Sequence, residues 1–281
     1  MEKQSSFRKE SEKSINLIDI FMYLALHWKW FLISVLLFVG YTLYSYYKTP
    51  FVYSRATMVL IKTAQNTQSV IKIARSNNYF GQVNVASEML QMKSEELMRK
   101  VIDRLHADVS YTVSDKLRSR ELYTDSPVKV AFLDIHADSV AVLDVTPKDE
   151  KQVLLSGKLK GKKVNSMAVL NDTVQTLVGR IIVSPLKNYG GKYMDKTVRV
   201  TKYPREDRMK LFLANLKVSQ PEEDAPILQL VMKDFSARRA EDLLNMMVVI
   251  FNEDAIEDKN MVAMSTAEFI KGRLEIIESE L

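Results

Sequence analysis

WFLISVLLFVGYTLYSYY, Trp30 to Tyr47, runs for 18 residues without a charge and is closed at its ends by Lys29 and Lys48. As a helix it rises roughly 27 Å, close to the ~30 Å hydrocarbon core of a bilayer, and both lysines can reach the headgroups. Trp28 and Trp30 at one end, and Tyr44, Tyr46, Tyr47 and Tyr53 at the other, match the aromatic belts of a membrane segment. A buried core helix would keep a polar stripe, and a signal peptide would end on small residues; this run does neither. The stretch predicts one transmembrane helix, 30–47, anchored by Lys29, Trp30, Tyr47 and Lys48.

Upstream, Lys3, Arg8, Lys9, Lys13 and Lys29 favour an inside N-terminus. Residues 48–281 would then lie outside the cytoplasm, and the chain would cross once. Met1 to Ser14 is polar and mixed in charge. Ile15 to Lys29 (INLIDIFMYLALHWK) has a helical apolar period and reads as an interfacial helix or as an inward extension of the span. The longest later uncharged apolar run, Met246 to Phe251, is too short to cross a bilayer.

The chain has 281 residues, 40 Lys+Arg against 35 Asp+Glu, and no cysteine. Disulfides, Cys-based zinc or iron–sulfur sites and thiol nucleophiles are therefore excluded. With 47% apolar residues the chain is not globally disordered.

Beyond the span, Val52–Lys62 reads as a strand and Thr63–Tyr79 as a loop. Ser94 caps a helix to Leu105 with Leu97, Val101 and Leu105 on one face. Short strands are expected at 108–113, 127–135, 140–146, 151–156, 180–184 and 197–203. Pro204 opens a helix carrying Met209, Phe212, Leu213 and Leu216, and Ile227–Phe235 is a further strand. From Ser236 to Leu281 there is no proline and one glycine, which predicts a helix of roughly 69 Å. Positions 256, 260, 263, 267, 270, 274, 277 and 281 step by four and three, a coiled-coil seam with its strong apolar members at Ile270, Leu274, Ile277 and Leu281. These four are the expected oligomer interface. The pattern runs to the last residue without a cap, as a chain truncated inside a longer helix would. The reading is thus α+β: a cytoplasmic tail and interfacial helix (1–29), a transmembrane helix (30–47), a small periplasmic domain with helices on one sheet face (48–235), and a long projecting helix (236–281).

Candidate chemistry is sparse. Asp134-x-His136-x-Asp138 would put three ligand types on one strand face, but Asp138-Ser139 reads better as a hairpin turn. Gly157-Lys158-Leu159-Lys160-Gly161-Lys162-Lys163 has three residues between its glycines where a phosphate loop has four, and lysine where it has Ser or Thr. No G-x-S-x-G elbow occurs. No catalytic residue, metal site or cofactor is expected. From Lys151 to Lys217 there are 15 basic and 4 acidic residues, which reads as lysines on solvated strand faces or as a surface for lipid headgroups or an anionic polysaccharide, not for nucleic acid.

Four stretches carry a resemblance to a known family. Ile15–Tyr47 is followed by Thr49-Pro50-Phe51-Val52-Tyr53-Ser54-Arg55-Ala56. Glu121-Leu122-Tyr123 precedes Ser126-Pro127. Leu228–Asn252 reads LQLVMKDFSARRAEDLLNMMVVIFN. Glu268-Phe269-Ile270-x-x-Arg273-Leu274 leads to Glu278-x-Glu280-Leu281. Together they resemble the Wzz-type chain-length determinants, or polysaccharide co-polymerases, and the second is similar to a segment of Bacteroidota members. The resemblance implies a homo-oligomeric membrane scaffold that sets the chain length of a surface polysaccharide (capsule, exopolysaccharide or O-antigen) and its export. The implied partners are the bilayer, a polysaccharide polymerase, the lipid-linked glycan, and a tyrosine kinase domain encoded downstream or separately. Many family members continue to a second membrane helix and some to a kinase with a P-loop; neither is in this sequence. The alternative reading is a single-pass sensor or adaptor with an extracytoplasmic ligand-binding domain. An anchored glycan-modifying enzyme is a third, without a paired-carboxylate motif to carry it.

Overall fold

The computed structural model describes residues 17–61, 85–115, 118–136, 138–159, 162–176, 179–222 and 225–280. The expected tail at 1–14, the loop at 63–79 and Leu281 lie outside them. The chain divides into two units, Met1–Thr49 and Pro50–Leu281.

The first unit is helical. α1 (Leu17–Leu26) and α2 (Trp28–Lys48) are separated at His27, whose backbone leaves the helical basin at φ −104° and ψ 20°. Ile15–Lys29 is therefore not a continuous inward extension of the span. The His27 ring instead sits 4.4 Å from the Tyr23 ring, with Nδ1 3.1 Å from the Tyr23 carbonyl. α2 ends at Thr49, where Pro50 disfavours helical geometry for the residue before it. It takes in Trp28 and both lysines, one to two residues wider than the uncharged run.

In the second unit, β1 (Tyr53–Leu60) pairs antiparallel with β12 (Ile227–Asp234), which also pairs with β11 (Leu216–Ser219). Side chains of β12 alternate, and Leu228, Leu230 and Met232 are fully buried beneath three helices. These are α4 (Glu95–Leu105), α5 (Arg205–Asn215) and the first half of α6 (Ala237–Glu280). α4 starts as its sequence dictates, with Ser94 Oγ accepting from the Leu97 N–H at 3.2 Å, and it buries Leu97, Met98, Val101 and Ile102. α5 buries Met209 and Phe212 but stops before Leu216, which opens β11 instead. α6 contributes Ala240, Leu243, Leu244, Met247, Ile250 and Phe251 to the same core. A short helix, α3 (Val85–Met92), adds Met92.

Helices on one face describe this sheet alone. Among the described residues between His106 and Tyr203 there is no α-helix, and the nine strands there cover each other. β2 (Val109–Asp115), β3 (Arg118–Glu121), β5 (Ala141–Pro147), β6 (Gln152–Leu159), β7 (Lys162–Val169) and β10 (Val198–Lys202) form an open sheet in the order β3-β2-β10-β5-β6-β7. It faces a smaller sheet of β4 (Val128–Phe132), β9 (Gly179–Pro185) and β8 (Thr173–Thr176), in the order β4-β9-β8. Leu143, Val145, Val153, Leu155 and Val200 meet Val128, Val130, Ile181 and Val183 in a second core. The fold is α+β, with the helix-covered core and the two-sheet core in one unit, and a smaller cluster of Val113, Leu122, Tyr193 and Val198.

Candidate functional site

Three features carry function-bearing chemistry: an apolar helix, the bare half of a long helix, and a buried charged joint at the start of that long helix.

Every residue of α2 is exposed, including Trp30, Phe31, Leu36, Leu37 and Phe38 around its whole circumference. Its 21 residues reach about 32 Å, and its mean hydropathy of 1.4 suits a bilayer span. Leaving such a surface in water would forgo about 1.5–3 kcal/mol per large apolar side chain, so the helix needs an apolar surrounding. At the Lys48 end, the ammonium stands 5.8 Å over the Tyr44 ring.

α6 leaves the core after Phe251. From there to Glu280 it is about 43 Å of helix, nearly all exposed. Ile270, Leu274 and Ile277 are each about half exposed, at 53%, 54% and 48%. They form the stripe read from the sequence. Phe269 and Ile276 lie beside it and are as open. Near the core, α6 is tied to α4 by Arg104–Glu253 at 2.6 Å and Lys100–Asp254 at 3.0 Å.

The joint is built on Arg239, 1% exposed in the first turn of α6. Its Nη2 lies 2.9 Å from Asp234 Oδ1, at the end of β12, and its Nη1 lies 3.2 Å from Glu121 Oε1, at the end of β3. The second contact is off the hydrogen-bond axis, so it acts as charge on charge and leaves Nη1 without a hydrogen bond. Burial pushes this guanidinium toward neutrality, but the Glu121 and Asp234 carboxylates outweigh it and hold its pKa above the ordinary value. Glu121 also accepts from Ser110 Oγ, and from the Tyr111 N–H at 2.9 Å. Asp234 accepts from the Ser236 N–H at 2.7 Å, and Ser236 Oγ accepts from the Arg239 N–H at 3.3 Å, which completes the cap. Next to it, Arg208 is 5% exposed, lies 4.0 Å over the Tyr203 ring and makes no ion pair among the described residues. Burial and the neighbouring Arg239 push its pKa below the ordinary value.

Tyr123 extends the joint. It holds φ +47°, where bulky residues are outliers, and its hydroxyl faces the Asp242 carboxylate one turn along α6. Burial and that carboxylate push its pKa up to about 12. Glu121-Leu122-Tyr123 and the start of α6, read separately in the sequence, are thus in contact. Arg239 was not singled out in the sequence; the signal available was that it shares a helical period with Leu243, Met247 and Ile250.

The remaining sequence candidates are dispersed. Asp134 is held by Arg180 through two bonds of 2.6 and 2.7 Å, which lower its pKa, while His136 and Asp138 sit in a turn closed by the Ser139 N–H to the His136 carbonyl. Among the described residues no group of three ligand-type side chains is placed to hold a metal. Gly157–Leu159 and Lys162–Lys163 lie in two paired antiparallel strands, with Leu159 opposite Lys162, whereas a phosphate loop leads into a helix. Four of the fifteen basic residues of 151–217 pair with carboxylates outside it: Arg180 with Asp134, Arg199 with Asp144, Lys202 with Asp108 and Arg205 with Asp103. No protein-family model matches the chain, and no curated protein matches it.

Proposed function

We propose that the protein is a membrane-anchored regulator of surface polysaccharide chain length and export that works as a homo-oligomeric scaffold in the bacterial inner membrane. The supporting observation is the order of parts: an apolar helix fit to span a bilayer, an α+β unit, and a long helix whose far half leaves its core with an uncovered apolar stripe. On this reading α2 anchors the chain with its N-terminus in the cytoplasm, and residues 50–281 stand in the periplasm. The stripe of α6 pairs with other copies in coiled-coil fashion, and the polymerase and its lipid-linked glycan are met by the assembled outer surface. The chain contributes geometry rather than catalysis, and any tyrosine kinase activity belongs to another polypeptide segment. Deleting the gene should change the length distribution of a surface polysaccharide and leave its sugar composition unaltered. An unchanged glycan profile, in a strain without a second copy, would refute the proposal.

A further inference from the structure

A cleft of about 540 Å³ opens where the end of α4, the strands β2 and β4 and the Tyr123 turn converge. That volume is ordinary for a small-molecule site. Its walls are apolar and partly aromatic, with Tyr111, Phe132, Val130 and Leu186 among them, and the Tyr111 hydroxyl is tied to the Val130 N–H at 3.1 Å. The wall is therefore held in place before any ligand arrives.

The charges around it nearly cancel. Lys202 and Asp108 form a buried pair at 2.5 Å, and Arg205 lies 3.1 Å from Asp103. Lys129, also lining the cleft, is exposed and makes no ion pair among the described residues. One positive charge is left over. A ligand that brings one carboxylate into the cleft matches it, as an acidic saccharide with carboxylates on alternate rings does, whereas a nucleotide, with two or more negative charges on one group, does not.

Two lining residues are held at positive φ, His106 at +50° and Tyr123 at +47°. Among the described residues, the other non-glycine cases are Asn171 and Asp195, types that tolerate this conformation. Tyr123 does not tolerate it readily. The Glu121–Arg239 joint beside it fixes the backbone, and the conformation keeps Tyr123 in the cleft wall.

We propose that this cleft binds a segment of an acidic saccharide. The apolar face of a sugar ring would lie on the Tyr111, Phe132 and Tyr123 side, its carboxylate on Lys129, and its hydroxyls against the Asp103–Arg205 pair. The geometry sets charge, size and stacking face; the choice of a saccharide among carboxylate-bearing rings rests on the polysaccharide reading above.

The test uses the full chain in lipid nanodiscs and titration calorimetry with three probes: a hyaluronan tetrasaccharide, neutral maltotetraose and uridine monophosphate. The hyaluronan tetrasaccharide should bind at least about tenfold tighter than either of the others, as one charge-assisted contact implies. Lys129→Glu should weaken it by about tenfold or more with the thermal midpoint unchanged, and Lys210→Glu, on the exposed face of α5, should not. Absence of tetrasaccharide binding, equal binding by Lys129→Glu, or tighter binding of the nucleotide would overturn the proposal. If no probe binds while gene deletion still alters glycan length, the cleft assignment fails and the functional reading stands. If the tetrasaccharide binds through Lys129 and deletion changes nothing, the functional reading fails and the site stands.

Discussion

Replacing Arg239 by methionine removes the cation that two buried carboxylates share while filling much of the same space. Asp234 and Glu121 each have side chains only 4% exposed, so neither can recover its lost partner from water. Breaking a buried pair from one side costs about 3–5 kcal/mol, because the stranded charge outweighs the lost attraction. In a unit of this size each kcal/mol moves the thermal midpoint about 2–4 °C, so Arg239→Met should lower it by about 6–20 °C. The assay is heat denaturation of the detergent-solubilised chain followed by circular dichroism at 222 nm, with exposed Lys210→Met as a control expected within about 0.5 kcal/mol of the parent. The triple variant Arg239→Met with Glu121→Gln and Asp234→Asn leaves no charge at the three positions of the pair and should recover more than half of the loss. A midpoint for Arg239→Met within 2 °C of the parent, or no recovery in the triple variant, would refute the reasoning.

Tyr111 and Tyr123 should titrate near pH 12 in the folded chain, read from absorbance at 295 nm, against about 10 for the free side chain. Burial raises both, so the unfolded chain loses these protons first. The stability they contribute is full below pH 10 and falls as pH rises from 10 to 12, by about 2–3 kcal/mol from Tyr111. Tyr111→Phe should flatten that fall; an unchanged slope would show that Tyr111 is not its source. Residues beyond Pro50 should be open to protease added to spheroplasts, and recovery of a shortened soluble form would identify α2 as a cleaved signal. Sedimentation in mild detergent should show oligomers that Ile270→Asp with Leu274→Asp dissociates while the core stays folded. A parent chain monomeric at micromolar concentration would remove the stripe as an interface.

Strong local patterns carried through to the structure. The β-branched run before Lys62, the Ser94 cap and the Ile227–Asp234 strand all form where propensity and period place them. β3 was not legible, since Arg118-Ser119-Arg120-Glu121 has no apolar alternation and is a strand because β2 pairs with it. The split into a helix-covered sheet and a two-sheet sandwich was not legible either. Alternation gives each strand an inner face but does not say which sheet it joins; β10 enters between β2 and β5 from almost the end of the segment. α5 ends early for a similar reason. Leu216 satisfies the helical period, yet pairing with Met232 on β12 draws it into β11. In the joint, Arg239 shares a helical period with Leu243 and Met247, but nothing local in the sequence ties it to Glu121, more than a hundred residues earlier.

The most direct test joins the stripe of α6 to the proposed role. Ile270→Asp with Leu274→Asp is introduced at the chromosomal locus, membrane levels of the protein are matched, and surface polysaccharide is resolved by length on a gel. The account predicts that the modal length is lost or shifted, as in the deletion strain, with sugar composition unchanged. A length distribution identical to the parent's, from a protein shown to be monomeric in the same membranes, would contradict it.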